Sequence, residues 1–318
     1  MEFGETPLKT SNTYPYLGVV LATNGIFYQA QKTLAEQASK AIYSLNSKLS
    51  GYVNLSPKFM LDLFDKCILP ILMYGCEVWG FHDAPNIERV QLKFCKIILK
   101  VRKCTPNNFI YGELGRYPLK VSRYTRIVKY WLNIVTGEKS AYICSVYNDA
   151  LSNIDRINQP SWIKSVRDLL RSSGFADVWL NQGVGDKTIF IKVFKARCID
   201  IFKQNWHGEI RDSSKSIFYR SIRTHPFYVP YLDVISAKSH RIAFTRLILS
   251  GHKLHIESGR WTNPVSPRDR EEKYFPYCPR KLEDEYHFLA ECTFYNDLRK
   301  QFIPRYYWKK PSMLKIVE

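Results

Sequence analysis

The sequence lacks a long uninterrupted hydrophobic run. Its most apolar stretch, residues 55–80, contains Pro70 and Glu77, whereas a helix that spans a bilayer needs about 20 consecutive apolar residues. The chain starts MEFGETPLK, which is acidic and polar and unlike the basic, then apolar, start of a secretory signal. We therefore expect no membrane association, an intracellular location in the cytoplasm or nucleus, and reduced cysteines.

The signatures of several enzyme classes are also missing. The chain has no glycine-rich phosphate-binding loop, no GxSxG nucleophile elbow and no HExxH motif. No pair of aspartates lies on a turn, as a two-metal polymerase site would require. The sequence therefore predicts neither catalysis by this chain alone nor a catalytic magnesium site.

Acidic residues are scarce relative to basic ones. The chain has 29 Asp and Glu against 47 Lys and Arg, which gives a formal net charge of +18. Such an excess favours a polyanionic partner, because each phosphate that Lys or Arg neutralises releases condensed counterions. Solubility alone is the simpler explanation of the same charge. The composition thus favours nucleic acid and leaves that explanation open.

Segments that favour β-strands are few. Residues 14–21 combine aromatic and β-branched side chains before the turn sequence Thr23-Asn24-Gly25, and we expect a lone hairpin there that lies on helices or frays. Elsewhere apolar residues recur every three or four positions, which indicates amphipathic helices. The predicted class is mainly α, with an antiparallel helical bundle, a helical C-terminal region and one short N-terminal β segment. The predicted domains are 1–25, 26–137, 138–210 and 211–318.

Helix boundaries follow from periodicity and from capping residues. Ser56 and Pro57 suit the start of a helix, and Pro70 predicts a kink or break within it. Residues 111–115 are predicted to form a turn. The predicted helices are 26–49, 55–80, 85–101, 118–135, 141–154, 162–170, 186–206, 217–222, 239–249 and 297–306.

Three groups of residues resemble, in order, parts of one known family. KCILPILMYGCEVWGF, followed by Ile87-Glu88, Gln91 and TPNNFIYGELGRYPL, resembles the region behind the polymerase domain of non-LTR (LINE-type) retrotransposon reverse transcriptases. Tyr16-Leu17-Gly18, taken with Gly25 and Phe27, is similar to that family's last palm strand and thumb entry. LEDEYHFLAEC resembles its C-terminal cysteine–histidine segment. The resemblance implies that residues 1–25 are a remnant of the palm and that residues 26–137 are a thumb-like bundle.

The resemblance also implies what this chain does not do. The whole enzyme copies RNA into DNA with palm aspartates, and Phe175-Ala176-Asp177-Val178 has a valine where the aromatic-x-Asp-Asp turn has its second aspartate. We interpret that stretch as helix. The expected function is binding of RNA or an RNA–DNA primer–template by the C-terminal portion of a polymerase. The alternatives are a helical protein-interaction module, a remnant without function, and an enzyme completed by a separate palm chain.

Basic residues concentrate at 93–103, at 116–129 and in the aromatic–basic tail at 306–310. Cations are favoured at any helix C-terminus, and a basic helix face is often only solvated. Under the alternative interpretation they bind phosphates. That interpretation assigns to the interface Lys93, Lys96, Lys100, Arg102, Lys103, Arg116, Lys120, Arg123, Arg126, Lys309 and Lys310.

Cys278, His287 and Cys292 have the spacing C-x8-H-x4-C. Structural zinc takes four Cys or His ligands, and a knuckle normally has another cysteine three residues before the first of these. In this sequence Phe275 stands at that position.

Two interpretations of this segment stay open. In the first, zinc binds with His252 or His255 as the fourth ligand. In the second, the segment is a metal-free remnant that packs through its apolar side chains, which are Phe275, Leu282, Phe288 and Leu289.

Overall fold

Helices make up most of the computed structural model of the protein. The structure describes residues 2–3, 6–7, 11–25, 27–52, 55–154, 156, 161–258, 274–275 and 277–312. Its strands are short and form only two-stranded sheets within these ranges, so the prediction of a mainly α protein with a short N-terminal β segment is confirmed. Over the same ranges no helix combines the length and the apolar character that crossing a membrane requires.

The elements follow one another in a simple order. The strands are β1 (Glu2–Phe3), β2 (Thr6–Pro7), β3 (Thr13–Tyr16), β4 (Val19–Ala22), β5 (Tyr274–Phe275) and β6 (Cys278–Leu282). The helices are α1 (Tyr28–Leu49), α2 (Pro57–Leu63), α3 (Leu69–Leu72), α4 (Cys76–Trp79), α5 (Pro85–Leu99), α6 (Asn107–Leu114), α7 (Leu119–Val135), α8 (Ala141–Ser152), α9 (Trp162–Ser172), α10 (Ala176–Leu180), α11 (Lys187–Asp212), α12 (Ile217–Ile222), α13 (Tyr231–Val234), α14 (Lys238–Ile248), α15 (His255–Ser258), α16 (Asn296–Phe302) and α17 (Arg305–Lys309). The described residues also include two π-helical turns, Phe64–Ile68 and His287–Glu291, and a 3-10 turn, Thr293–Tyr295.

The chain divides into two compact units, each made of two stretches of sequence. The first comprises Met1–Phe94 and Tyr117–Phe202, and the second comprises Cys95–Arg116 and Lys203–Glu318. In the first unit, α7 to α10 and the beginning of α11 share one hydrophobic core, in which Trp131 stacks on Trp179 with ring centroids 5.9 Å apart. The boundary predicted at residue 137 therefore falls inside a core, and the one predicted at 210 falls inside α11.

The N-terminal hairpin belongs to the first unit. β3 and β4 pair antiparallel through a two-residue turn in which Leu17 and Gly18 both have positive φ, +46° and +80°, the backbone of a primed hairpin turn. Tyr74, between α3 and α4, donates its hydroxyl to the Leu17 carbonyl at 2.7 Å. The predicted lone hairpin on helices is thus confirmed, although the chain reverses at Leu17-Gly18 and not after residue 21.

Pro70 breaks its helix as predicted, and the break takes the form of a π-helical turn. Ser56 caps α2 by accepting a bond from the Phe59 amide at 3.1 Å. The Leu69 amide then bonds five residues back, to the Phe64 carbonyl. A widened turn of this kind accommodates a residue without an N–H and with a bulky ring. The prediction of helix at Asp177 is also confirmed, since it lies in α10.

In the second unit, the turn predicted at residues 111–115 is wrong, because residues 107–114 form helix α6. Gly115, with φ of +58°, ends that helix. Gly112 lies within this helix, and the neighbouring side chains leave no room there for a larger residue. A Cβ there would lie 3.0 Å from the Trp206 ring and would collide with the Tyr219 hydroxyl.

A buried carboxylate organises α6 and its neighbours. The Glu113 side chain is fully buried, and it accepts bonds from Arg223 Nε and from the Tyr231 hydroxyl, both at 2.7 Å. Burial, together with the nearby carboxylate, raises the pKa of Tyr231, so its phenol stays protonated and donates. These bonds join α6 to the chain around α12 and α13.

A second carboxylate, the half-buried Glu88 in the first unit, holds the start of α7. Its oxygens accept the amides of Leu119 at 2.8 Å and Lys120 at 2.9 Å, and Arg123 Nη2 lies 3.3 Å from Oε1. The Arg123 side chain is 1% exposed and its guanidinium also faces the Trp79 ring. The prediction that Arg123 lies on an exposed basic face is therefore wrong, since its positive charge is used inside the fold.

We expect Arg123→Leu to destabilise the first unit in a pH-dependent way. Removing one partner of a buried ion pair costs about 3–5 kcal/mol. Burial raises the pKa of Glu88 and the Arg123 charge is the main influence that lowers it, so the substitution raises that pKa further. When folding raises the pKa of a carboxyl group, the resulting stability is fully present at a pH below the pKa of the unfolded state. It is lost as the pH rises through the pKa of the folded state. The free energy of unfolding should therefore fall more at about pH 8 than at about pH 5.

Urea denaturation at both pH values measures this effect. Lys129→Leu, at an exposed position of the same helix, is the control and should change the unfolding free energy by less than about 0.5 kcal/mol. An equal loss at both pH values for Arg123→Leu would show that the Glu88 charge is not involved.

Candidate metal centre and nucleic-acid interface

The cysteine–histidine segment begins as a β-hairpin in the second unit. β5 pairs antiparallel with β6, and the register places Phe275 directly opposite Cys278. Residue 275 is the position at which a knuckle would have its first cysteine. The hairpin thus pairs Cys278 with a phenylalanine at the position where the predicted knuckle would have a second cysteine.

The other two donors come from the π-helical turn that follows. His287 begins the turn, with its amide bonded to Asp284 Oδ1 at 2.8 Å, and the Cys292 amide bonds five residues back to the His287 carbonyl, also at 2.8 Å. In an α-helix, residues five positions apart point in clearly different directions. The wider π-helical turn brings the side chains of His287 and Cys292 to the same side. The local backbone therefore determines the geometry of the donor set.

Cys278, His287 and Cys292 converge into one cluster. Their donor atoms all lie within 4.8 Å of one another, and the two Sγ atoms are 3.6 Å apart. His287 is buried, yet neither ring nitrogen has a hydrogen-bond partner among the described residues, and the Glu291 carboxylate is 3.6 Å from Nδ1. Burial raises the pKa of the Cys292 thiol, which a bound cation would offset. The cluster could hold a metal ion.

Neither histidine predicted as a fourth ligand joins this cluster. His252 Nε2 lies 2.8 Å from Glu285 Oε1, and His252 Nδ1 accepts the Leu254 amide at 3.2 Å. His255 Nδ1 is bonded to the Glu283 carboxylate. The prediction is corrected for a physical reason: buried carboxylates on the segment before His287 bind these rings and hold them away from the thiols.

A buried arginine packs behind the cysteine–histidine cluster and supports it. Arg299, on α16, donates to the carbonyls of Leu289 at 2.8 Å, Phe288 at 3.2 Å and Cys292 at 2.9 Å. It is 4% exposed, and these bonds satisfy carbonyls at the end of the π-helical turn. Arg299 therefore fixes the segment that carries two of the three donors. Sequence spacing did not identify it, since it resembles any exposed helical arginine.

The other predicted phosphate-binding residues of the first unit are exposed to different degrees. Lys93 is exposed, with Nζ 6.0 Å from the centroid of the Tyr43 ring. Lys120 is partly exposed and lies 3.7 Å from Asp83. Arg126 is exposed and donates to the Met73 carbonyl at 3.4 Å. These three remain available to a ligand, whereas Arg123 does not.

The second unit contains the remaining candidates. Lys100, Arg102 and Lys103 are exposed, and so are Lys309 and Lys310. Lys96 is half-buried and donates to the Lys103 carbonyl at 2.8 Å, and burial lowers its pKa. Arg116 is half-buried. Lys96 is thus partly used to close the turn after α5, and the exposed members are the better candidates.

A groove between α1 and α5 adds three cations that the sequence reasoning did not assign. Lys32 and Lys40 on α1, and Arg89 beside Lys93 on α5, line an open groove of about 510 Å³. The basic spacing along α1 was visible in the sequence, with Lys32 and Lys40 on one face. Which helix would lie beside that face was not visible.

Metal binding by the cluster can be tested directly with Co²⁺, whose tetrahedral thiolate complexes absorb in the visible range. We expect one ion per chain, and Cys292→Ser should weaken binding by about tenfold or more, since even an outer-shell partner contributes about 10–100-fold. The control is Cys67→Ser, which removes an exposed thiol from outside the cluster. Equal affinity in the two variants would contradict the assignment.

Scans against protein-family models, curated proteins and solved structures found no match.

Proposed function

We propose that this protein binds nucleic acid and that its first unit holds the phosphate backbone in the α1–α5 groove. The observation that carries the proposal is the set of four cations, Lys32, Lys40, Arg89 and Lys93, that faces this groove. Among the residues that the structure describes, none of the four forms an ion pair, although Glu36 also lines the groove. Four cations against one carboxylate leave an excess of positive charge, which attracts an anionic ligand.

The dimensions of the groove suit a polyanion. Lys32 and Lys40 are two helical turns apart on α1, which corresponds to about 12 Å at the usual helical rise. With one phosphate per about 3.4 Å along each strand of a duplex, that length covers three or four phosphates. Contacts to successive phosphates position nucleic acid without reading its sequence.

An exposed tyrosine contributes to the same surface. Tyr43 is 74% exposed and lines the groove beside Lys93. A ring with a cation at its face is a common element of surfaces that bind sugar and phosphate. The groove therefore offers both charge and a flat apolar contact.

The resemblance to non-LTR reverse transcriptases supports the same proposal from the sequence. It assigns residues 26–137 to a thumb, the part of a polymerase that grips the primer–template, and α1 and α5 lie within that range. The proposal covers binding of RNA or an RNA–DNA duplex. It does not include DNA synthesis, since the sequence contains no pair of aspartates on a turn.

Zinc is the ion that the cluster suits best. Two thiolates on a tetrahedral zinc ion at about 2.3 Å lie about 3.8 Å apart, and the two Sγ atoms are 3.6 Å apart in this protein. Sulfur and imidazole donors also favour zinc over magnesium or calcium. Three protein ligands leave one position for water, so binding is weaker than at a complete knuckle.

Restoring a fourth thiolate tests the zinc assignment. Phe275→Cys places a cysteine opposite Cys278 in the hairpin register and recreates the C-x2-C start of a knuckle. We expect zinc affinity, measured by competition with a chelating dye, to rise by about tenfold or more. The matched control is Tyr277→Cys, which also places a cysteine in this hairpin but at a residue that is not paired with Cys278. If both variants bind zinc equally, the hairpin does not position a ligand.

The groove is tested by the salt dependence of binding to a labelled RNA–DNA duplex. We compare the unmodified protein with a variant that carries Lys32→Gln, Lys40→Gln, Arg89→Gln and Lys93→Gln. Each phosphate contact contributes about 0.9 to the slope of log affinity against log salt. Loss of four contacts should therefore reduce that slope by roughly 3.6.

The control for the groove variant has the same loss of charge elsewhere. Lys58, Lys66, Lys192 and Lys195 are exposed and lie outside the groove, and changing all four to Gln should alter the slope by less than about 1. Similar slopes for the two variants would mean that net charge alone attracts the nucleic acid. Weak salt dependence in the unmodified protein would favour a protein-interaction module.

A further inference from the structure

An open cleft lies between helices α16 and α17 of the second unit. Pro304 cannot continue a helix from its preceding turn, so α16 ends at Phe302 and α17 starts at Arg305. The bend between them encloses a cleft of about 940 Å³. Three cations, Lys300, Arg305 and Lys309, line it, and none of its described lining residues is acidic.

Aromatic rings also line this cleft. Phe302 is 72% exposed, which leaves a large apolar face in water unless a ligand covers it. Trp308 is held in place by a bond from its indole Nε1 to the Ile303 carbonyl at 2.9 Å. The cleft therefore presents a free phenyl face beside a fixed indole.

The cations of the cleft remain available. Lys300 lies 3.2 Å from Asp297, but both side chains are mostly exposed, and such surface pairs contribute little. Arg305 and Lys309 are exposed. Positive charge around an apolar ring is the chemistry that binds a nucleotide, with its base on the ring and its phosphate on the cations.

The backbone beneath the cleft is anchored by Arg299. Arg299 precedes Lys300 on α16 and is bonded to three carbonyls at the metal centre. Phe302 and Lys300 therefore project from a helix that these bonds tie to the π-helical turn. Preorganisation of this kind lowers the entropic cost of binding.

We propose that this cleft binds unpaired nucleotides of a single strand, with a base stacked on Phe302 and the flanking phosphates held by Lys300, Arg305 and Lys309. This inference rests on the proposed function in that the ligand is nucleic acid, but it names a second site with a different preference. A duplex keeps its base faces stacked on one another, so it offers no base to Phe302. The cleft therefore discriminates for single strands, whereas the α1–α5 groove accepts duplex phosphates.

The test compares three fluorescent probes with the full-length protein: an oligothymidine of about ten nucleotides, within the usual site size, an abasic strand of the same length, and an RNA–DNA duplex. Phe302→Ala should weaken oligothymidine binding by about fivefold or more. It should leave binding of the abasic strand and the duplex unchanged, since neither offers a free base. Phe59→Ala, which removes another exposed phenylalanine, is the matched control and should change none of the three.

The outcomes separate this inference from the proposed function. If Phe302→Ala leaves oligothymidine binding unchanged, or weakens the abasic strand equally, the stacking site is refuted while duplex binding in the groove can still stand. If the groove variant loses duplex binding but keeps oligothymidine binding, the two sites are independent, as we infer. If an acidic peptide binds the cleft as tightly as oligothymidine does, the cleft recognises charge alone and the inference is overturned.

Discussion

The start of α7 is held by Glu88, and this contact also determines which side of α5 is left for a ligand. The carboxylate occupies the helix N-terminus, where an anion is favoured, and Arg123 returns to it from the next turn of α7. Successive residues on a helix point about 100° apart, so Arg89 turns away from this pair and lines the groove with α1. One buried ion pair thus positions a helix whose other side forms the proposed phosphate-binding surface.

Positive charge in this protein has two uses that composition cannot distinguish. Arg123, Arg223 and Arg299 are largely buried, where each satisfies carboxylates or backbone carbonyls. Lys32, Lys40, Arg89 and Lys93 line an open groove instead. The net charge of +18 counts both kinds equally. Arginine serves the buried positions because its planar guanidinium can satisfy several acceptors at once and is less strongly hydrated than an ammonium group.

In the second unit a short C-terminal segment supports both the cysteine–histidine cluster and the cleft between α16 and α17. The π-helical turn brings His287 and Cys292 to Cys278, and Arg299 binds the carbonyls of that turn while the next residues line the cleft. Metal binding would stabilise the turn, because the free energy of binding a structural metal contributes to the free energy of folding. The proposed metal site and the cleft therefore depend on the same local backbone.

By itself the sequence determined the bounds of several long helices and the three members of the cysteine–histidine cluster. α1, α5 and α7 begin and end within two residues of the predicted positions, because periodicity, caps and proline act locally. The C-x8-H-x4-C spacing identified three residues that the fold does bring together. Only the tertiary structure decided that Arg123 is buried, that Glu283 and Glu285 engage His255 and His252, and that α1 and α5 form a groove. The physical reason is that each of these depends on a pairing between distant segments, and helical periodicity gives the angle of a side chain but not the neighbour that it meets.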